Sequence, residues 1–418
     1  MKLRSFSCGI FIILITLCGA AGASIANREL PEDLPPFDVD QWLSGPDRTD
    51  FPWKVGVAQE LTSQQRNLVT IFAYIPGGKR FPYGTTERDL HFVLKIATAD
   101  NRWVTGFSHT RIPVPAQLDK SQIVNFSDGV YLRPGSYTIA LIVYDPLLKK
   151  GNIRRKHINV PRLKKDPLPD LDRDLPEVEF ITYDHDLPFP LAKGKEWLPV
   201  KNSRGLCIDI VANTSADYDY NPRLGLSSYE GGLSVRKYKA HANSIVILRV
   251  SSVLSHLDLR KGKIRVSILD TLRMKTLFDR EDASSFDWQL AGKALTQQDH
   301  FTIAKNLIGS QTEASSYLSG KLSKILEDDA CAPEAESPLK IVIVVSSEMQ
   351  FAKDTRIGKV IPQDPASVRF IYFPLSYYMK DDLLTMLKPT KPRVYMHPSR
   401  QRLRSMLADV IVYLEKLK

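Results

Sequence analysis

The sequence predicts an α/β domain with a doubly wound, mostly parallel sheet, preceded by an all-β antiparallel sandwich. Three observations predict it. Short runs alternating apolar and polar residues fill 61–160, separated by turn signals such as Pro76-Gly77-Gly78, Asp100-Asn101 and Pro134-Gly135. A stretch holding seven prolines follows at 161–200. Beyond 200, near-continuous apolar runs alternate with helical stripes, the pattern of strands buried on both faces.

The 418 residues are 25% charged and 43% apolar, a globular balance that excludes wholesale disorder and a fibrous repeat. Lys and Arg number 57 against 47 Asp and Glu, a formal charge of +10. Residues 1–23 read as a signal peptide. Lys2 and Arg4 precede the apolar run Cys8–Cys18, and Ala21-Gly22-Ala23 offers a small-x-small cleavage pattern. That run is too short for the ~20 residues a membrane span needs. A secreted or periplasmic chain starting near Ser24 is expected, without a transmembrane segment. Cys207 and Cys331 are then its only cysteines, in a compartment where a disulfide persists.

Residues 24–60 contain five prolines and are expected as an extended arm with one short helix near Val39–Leu43. In the sandwich, Asn67–Ile75, Leu90–Ile96, Trp103–Phe107 and Ser136–Tyr144 carry the two-residue period. Residues 161–200 are expected as a semi-rigid linker, because proline lacks an amide donor and fixes φ. Eight basic residues in 149–165 face eight acids in 166–186, and mutual neutralisation is the expectation. In 201–418, Leu206–Asn213, Lys263–Leu269, Lys340–Val345, Val368–Pro374 and Arg393–Met396 read as strands. Trp288–Leu295, Glu313–Leu326, Lys380–Leu387 and Arg400–Leu417 read as helices. Ala240–Leu257 is ambiguous by β-branched content, but Val246, Val250, Val253, Leu254 and Leu257 fit a helical stripe.

The order of elements from Leu206, with segments such as Gly262–Phe278, resembles a von Willebrand factor A domain. The whole chain resembles secreted bacterial proteins related to it, with an immunoglobulin-like sandwich in front. That resemblance implies a Rossmann-like sheet and a metal-ion-dependent adhesion site built on Asp-x-Ser-x-Ser. Here the corresponding segment is Asn213-Thr214-Ser215-Ala216-Asp217, and Ser346-Ser347-Glu348 stands where such domains often show Ser-Asp-Gly. A neutral amide is a weaker partner than a carboxylate for a hard cation, so no cofactor is expected, Mg²⁺ being the alternative. The resemblance also makes the strands at 206 and 340 neighbours. Cys207 and Cys331 then enter them at the same end and are the disulfide candidates.

Catalytic signatures are not found. Gly-x-Ser-x-Gly, His-Glu-x-x-His and Cys-x-x-Cys do not occur, Gly78-Lys79 is followed by Arg80, and the eight histidines are scattered. Acid pairs such as Asp170, Asp172 and Asp174 fall in the proline-rich stretch and read as a solvated run. Ligands of open α/β sheets gather beyond the carboxyl ends of the strands. That rim is expected to hold Asn213, Ser215, Asp217, Asp270, Ser346, Ser347, Glu348, Tyr377 and His397. The expected function is that of an exported, non-enzymatic binding protein whose partner is a protein or another envelope component, not nucleic acid. The alternatives are an envelope hydrolase or transferase using the same rim, and a structural module of an envelope complex.

Overall fold

The computed structural model describes residues 35–77, 86–116, 122–181, 191–202, 204–215, 244–296, 311–327, 338–347, 349, 351, 355–375, 381–396 and 399–417. The expected signal peptide, 1–23, lies outside them.

Two antiparallel sheets form the N-terminal sandwich. One orders β1 (Arg48–Thr49), β8 (Lys150–Val160), β7 (Gly135–Asp145), β4 (Arg88–Ala97) and β5 (Ser108–Val114). The other orders β2 (Lys54–Leu61), β3 (Asn67–Pro76), β6 (Ile123–Leu132) and β9 (Val178–Phe180). Alternation decides which side chains meet: Val69, Ile71, Ala73 and Ile75 face Leu90, Phe92, Leu94 and Ile96 across the interior. Phe92 stacks on Phe126 with ring centroids 4.5 Å apart. The opposite face of the five-stranded sheet is also apolar. Val93, Ala140, Ile142 and Ile153 are covered by Leu43 and Trp42 of helix α1 (Val39–Ser44) and by Phe37, Trp103 and Phe107. The stretch Trp103–Phe107, expected as a strand, is thus part of this cover, touching the sheet through one bridge at Ala97. The strand proper begins at Ser108, an edge strand where Pro113 is tolerated.

The arm and the proline-rich stretch are both woven into the fold. Residues expected as an extended arm supply β1 and β2, and Arg155 ties the arm down. Its guanidinium donates to Leu43 O at 2.8 Å, Gly45 O at 2.7 Å and Asp47 Oδ1 at 2.8 Å. In the acidic run, Asp166 accepts from Arg404 at 2.9 and 2.6 Å. Burial pushes the Asp166 carboxyl up, but the Arg404 hydrogen bonds outweigh it and hold it below the usual carboxylate range. Both charge runs therefore spend these groups on distant elements, not on each other. The stretch 161–200 also adds β9 to the sandwich, β10 (Leu198–Val200) to the C-terminal domain, and Leu171 and Leu191 to that domain's core.

A β-hairpin tip normally lies in solvent. Between β2 and β3, however, Thr62, Ser63, Gln64, Gln65 and Arg66 are all buried, none above 7% exposed. Gln64 exchanges hydrogen bonds with the Ala192 backbone (2.8 and 3.2 Å), and Gln65 Nε2 donates to Arg400 O at 2.9 Å. Arg400 in turn pairs with Glu60. These contacts seat the sandwich on the C-terminal domain.

The C-terminal sheet orders β14 (Lys275–Asp282), β13 (Gly262–Asp270), β11 (Leu206–Asn213), β15 (Leu339–Ser346), β16 (Val368–Pro374) and β17 (Arg393–Val394). β13, β11, β15, β16 and β17 run parallel, whereas β14 pairs with β13 antiparallel. The expected doubly wound, mostly parallel Rossmann-like class is therefore corrected. The sheet is mixed, and the described residues are 41% strand against 23% helix. The cause is local. Thr271–Met274 closes a tight turn, Met274 N donating to Thr271 O at 3.1 Å with Met274 at φ 52°. So short a connection can join only antiparallel neighbours, since a parallel crossover needs a dozen residues or more.

One face of this sheet packs against a helix through 244–255 (α2), α3 (Trp288–Thr296) and α6 (Arg400–Lys416). The other packs against α4 (Gln311–Glu327) and α5 (Asp382–Leu387). The stripe of Val250, Val253 and Leu254 resolves the ambiguous segment as helix, and Leu257 opens β12 (Leu257–Leu259). β12 pairs in parallel with β10, Leu198 opposite Leu257.

β11 and β15 are neighbours, with Cys207 opposite Lys340, and Cys207 is disulfide-bonded. The other cysteines, Cys331 among them, lie outside the described residues. Non-reducing peptide mapping is expected to recover Cys207 joined to Cys331, and reduction to cost up to ~5 kcal/mol by the chain-entropy relation. A Cys207 peptide carrying a free thiol or a different partner sinks this expectation.

Candidate functional site

At the carboxyl ends of β11, β13 and β15, Asn213, Ser215, Asp270 and Ser346 do come together. They form a closed network. Asn213 Nδ2 donates to Ser346 Oγ at 2.9 Å and to Met349 Sδ at 3.0 Å. Its Oδ1 accepts from Ser215 Oγ at 2.8 Å and Thr271 Oγ1 at 3.0 Å. An amide has two donors and one acceptor oxygen with two lone pairs, and here all are used. Ser215 Oγ also accepts from Thr271 N at 2.6 Å and Leu272 N at 3.2 Å, anchoring the turn that leads into β14. Ser346 Oγ donates to Ser347 O at 2.6 Å. Asp270 is bound by Arg273, whose Nη1 lies 2.9 Å from Oδ2. Asn213, Ser215, Asp270 and Ser346 are each at most 5% exposed. The Ser347 hydroxyl is buried and has no hydrogen-bond partner among the described residues. Asp217, Glu348, Tyr377 and His397 lie outside the described residues.

The amide at 213 explains the closure. A carboxylate there would bring no donor to Ser346 and Met349, and the cluster would need a cation to balance it. With Asn213, and with Arg273 on Asp270, the cluster satisfies itself. Among the described residues, no group of three or more His, Cys, Asp or Glu side chains is placed to hold a metal.

The opposite end of the sheet is open. A cleft of about 720 Å³ runs between β10, β12 and the start of β13. Gly262 forms part of its floor at φ +128°, and a Cβ there would sit 1.9 Å from Leu206 O. In its wall, His256 Nδ1 lies 2.5 Å from Glu196 Oε2, with side chains 7% and 0% exposed. Parallel pairing of Leu198 with Leu257 brings these two together from 60 positions apart. The Glu196 backbone N–H also faces Nδ1, at 3.3 Å, so both contacts hold the ring in place through this one nitrogen. Glu196 Oε1 is buried and has no hydrogen-bond partner among the described residues. At the rim, Lys263 Nζ pairs with Asp282 at 2.9 Å. The Ser284 hydrogen bond and Lys263 hold the Asp282 carboxyl at about 2.

Sequence reasoning missed this site. Glu196 stands in the proline-rich stretch, and His256 was one of eight scattered histidines. No spacing joins them; only the β10–β12 pairing does. The partial signal was Gly262, at the foot of a strand, where a positive φ excludes a side chain.

No protein-family model matches this chain, and no curated protein matches it. Among solved structures, a family 123 glycoside hydrolase from Clostridium perfringens aligns at 7% identity over 83% of this chain and 72% of its own, with a TM-score of 0.27. The PilB minor pilin from Streptococcus sanguinis aligns at 8% identity over 78% and 88%, with a TM-score of 0.23. A β-glucuronidase from Parabacteroides merdae aligns at 10% identity over 76% and 38%, with a TM-score of 0.17. Likenesses this slight carry no inference about what this chain does. Among the described residues, no helix is long and apolar enough to cross a membrane.

Proposed function

We propose that the chain is an exported, non-catalytic binding protein that holds a small ligand or a side chain of a partner in the cleft at the amino ends of β10, β12 and β13. The observation that carries this reading is the contrast between the two ends of the sheet. Asn213, Ser215, Asp270 and Ser346 at the carboxyl end are spent on one another and on their neighbours, whereas the cleft at the amino end lies open beside the Glu196–His256 pair. The volume suits a small molecule. Export rests on residues 1–23, with the basic start, short apolar run and small-x-small cleavage pattern described above.

The test is thermal-shift screening of the full mature chain against organic amines, sugars and small carboxylates, with Asp258→Ala and Glu196→Gln beside the wild type. At least one ligand is expected to raise the wild-type Tm and to lose that effect in both variants. A ligand that shifts all three proteins equally places the site elsewhere and overturns the proposal. So does a ligand that is consumed, which would make His256 a catalytic base. Removal of the signal peptide is checked on the same exported material: an N-terminus still at Met1 contradicts export by cleavage.

A further inference from the structure

We infer that a small cavity between the β13–β14 hairpin and α4 binds a tetrahedral oxyanion, phosphate or sulfate. It shares no lining residue with the cleft of the proposed function, so the two readings stand or fall separately. The cavity holds about 130 Å³, the share of about four waters at ~30 Å³ each. Leu269 and Ile325 are its apolar walls, and its polar lining is Ser267, Asp279, Arg280, Lys321 and Lys324.

A β-bulge builds the hairpin side. Val266 pairs with Glu281 and Ile268 with Phe278, so Ser267 stands opposite two residues, Asp279 and Arg280. Arg280 takes the left-handed conformation, φ 56°, which glycine adopts more readily. Its N–H donates to Ser267 Oγ at 3.0 Å. Bulges re-aim side chains beside binding sites, and this one brings a guanidinium to the cavity wall.

The polar lining is rich in donors. Ser267 is 3% exposed, and its hydroxyl proton has no acceptor among the described residues. Lys321 lies 3.4 Å from Asp279, the one carboxylate of the lining, and an ammonium carries three N–H groups. Lys324 adds a second ammonium from the same helix face. The Arg280 side chain, 17% exposed, shares Asp209 with Arg265, which holds both carboxylate oxygens at 2.8 Å while Arg280 stands at 3.6 Å. Burial pushes the Arg280 guanidinium below its usual range; Asp209 opposes this and Arg265 adds to it. The carbonyls of the last turn of α4 would repel an anion, but Lys340 Nζ covers them, 3.0 Å from Ile325 O and 2.9 Å from Leu326 O.

Three cations against one carboxylate make an organic cation the wrong occupant, and a neutral polyol leaves the excess unanswered. An oxyanion supplies acceptors only, and its bonds to guanidinium and ammonium are charge-assisted. The donors reach the cavity from three elements, β13, β14 and α4, an arrangement that suits four oxygens set tetrahedrally better than the planar pair of a carboxylate.

Calorimetric titration of the full mature chain with sodium phosphate, and separately with sodium sulfate, tests the inference. One-to-one binding is expected, weakened at least tenfold by Arg280→Gln and by Lys324→Gln and measurably by Ser267→Ala, with sodium acetate binding more weakly than either. Circular dichroism establishes that the variants are folded. Should Arg280→Gln fail to fold, Lys324→Gln and Ser267→Ala carry the test. Lys388→Gln removes one exposed positive charge outside the cavity and is expected to bind as the wild type does. Glycerol 3-phosphate distinguishes the sources: binding equal to that of phosphate shows that the cavity accepts a phosphoryl group carried on a larger molecule, and its exclusion shows a site for the free ion. The inference is overturned if neither phosphate nor sulfate binds, if both bind the three cavity variants unchanged, or if Lys388→Gln weakens binding as much as Lys324→Gln does.

Discussion

Asp209→Ala is expected to destabilise the C-terminal domain by roughly 3–5 kcal/mol, the range for removing one member of a buried ion pair. Asp209 sits in the middle of β11, the central strand, with Ile208 and Ile210 directed to the apolar core on the other face. Opposite it in register is Arg265. The guanidinium grips both carboxylate oxygens at 2.8 Å, and Arg280 approaches to 3.6 Å. Side-chain exposure is 8% for Arg265 and 2% for Asp209. Alanine would take from two positive groups the buried carboxylate they share. The loss comes mainly from that stranded charge, so a companion variant separates the causes. Asp209→Leu combined with Arg265→Met is expected to recover most of the stability, because paired apolar replacements avoid the desolvation cost altogether. Urea unfolding followed by far-ultraviolet dichroism measures both. A loss below about 1 kcal/mol for Asp209→Ala contradicts the assignment of a buried, dry ion pair.

Asp128→Asn is expected to stabilise the sandwich by roughly 2–3 kcal/mol at pH 7.5, and by almost nothing at pH 4. Asp128 is 1% exposed. It occupies a core-facing position of β6, in step with Val124, Phe126, Val130 and Leu132. Burial pushes its carboxyl up to about 6, against weaker opposition from the Ser108 hydroxyl and the Gly129 N–H. Because the folded-state pKa is raised, the protonated form favours the native state. That contribution is full below the unfolded value of 3.8 and is lost as pH rises through about 6. Asparagine copies the shape and keeps an acceptor for Gly129 N, now 2.7 Å from Oδ1, without a charge to desolvate. Unfolding free energies at pH 4 and 7.5 decide it. A variant no more stable than the wild type at pH 7.5 shows that the carboxylate is solvated or paired.

The two substitutions touch residues that sequence reading handles very differently. Asp209 interrupts the apolar run LCIDIVAN and is visible as an anomaly, although nothing local names its partner, 56 residues on in β13. Asp128 hides in a strand of alternating polarity, where its polar character suggests the outer face. The hairpin at Thr271–Met274 was likewise unreadable. It contains neither Gly nor Pro, and the left-handed φ at Met274 is forced by the turn and the β13–β14 pairing. Missing it left out of the expected sheet the antiparallel strand that makes the sheet mixed. At the site, the carboxyl-end residues Asn213, Ser215, Asp270 and Ser346 were read as neighbours, and they are. That they are buried and saturated depends on Thr271, Leu272, Arg273 and Met349, which no motif singles out.

By itself the sequence determined the strands and helices whose period repeats often enough to read. Among these are the core strands Asn67–Pro76 and Leu339–Ser346 and the closing helix Arg400–Lys416. It also determined that residue 213, at the end of the apolar run LCIDIVAN, is an amide. Tertiary structure alone decided that the hairpin tip at Gln64 is buried, that Asp166 reaches Arg404, and that His256 meets Glu196. The physical reason is range. Hydrophobic period is a property of a dozen consecutive residues. A buried polar group is instead defined by partners that strand pairing and domain packing deliver from anywhere in the chain.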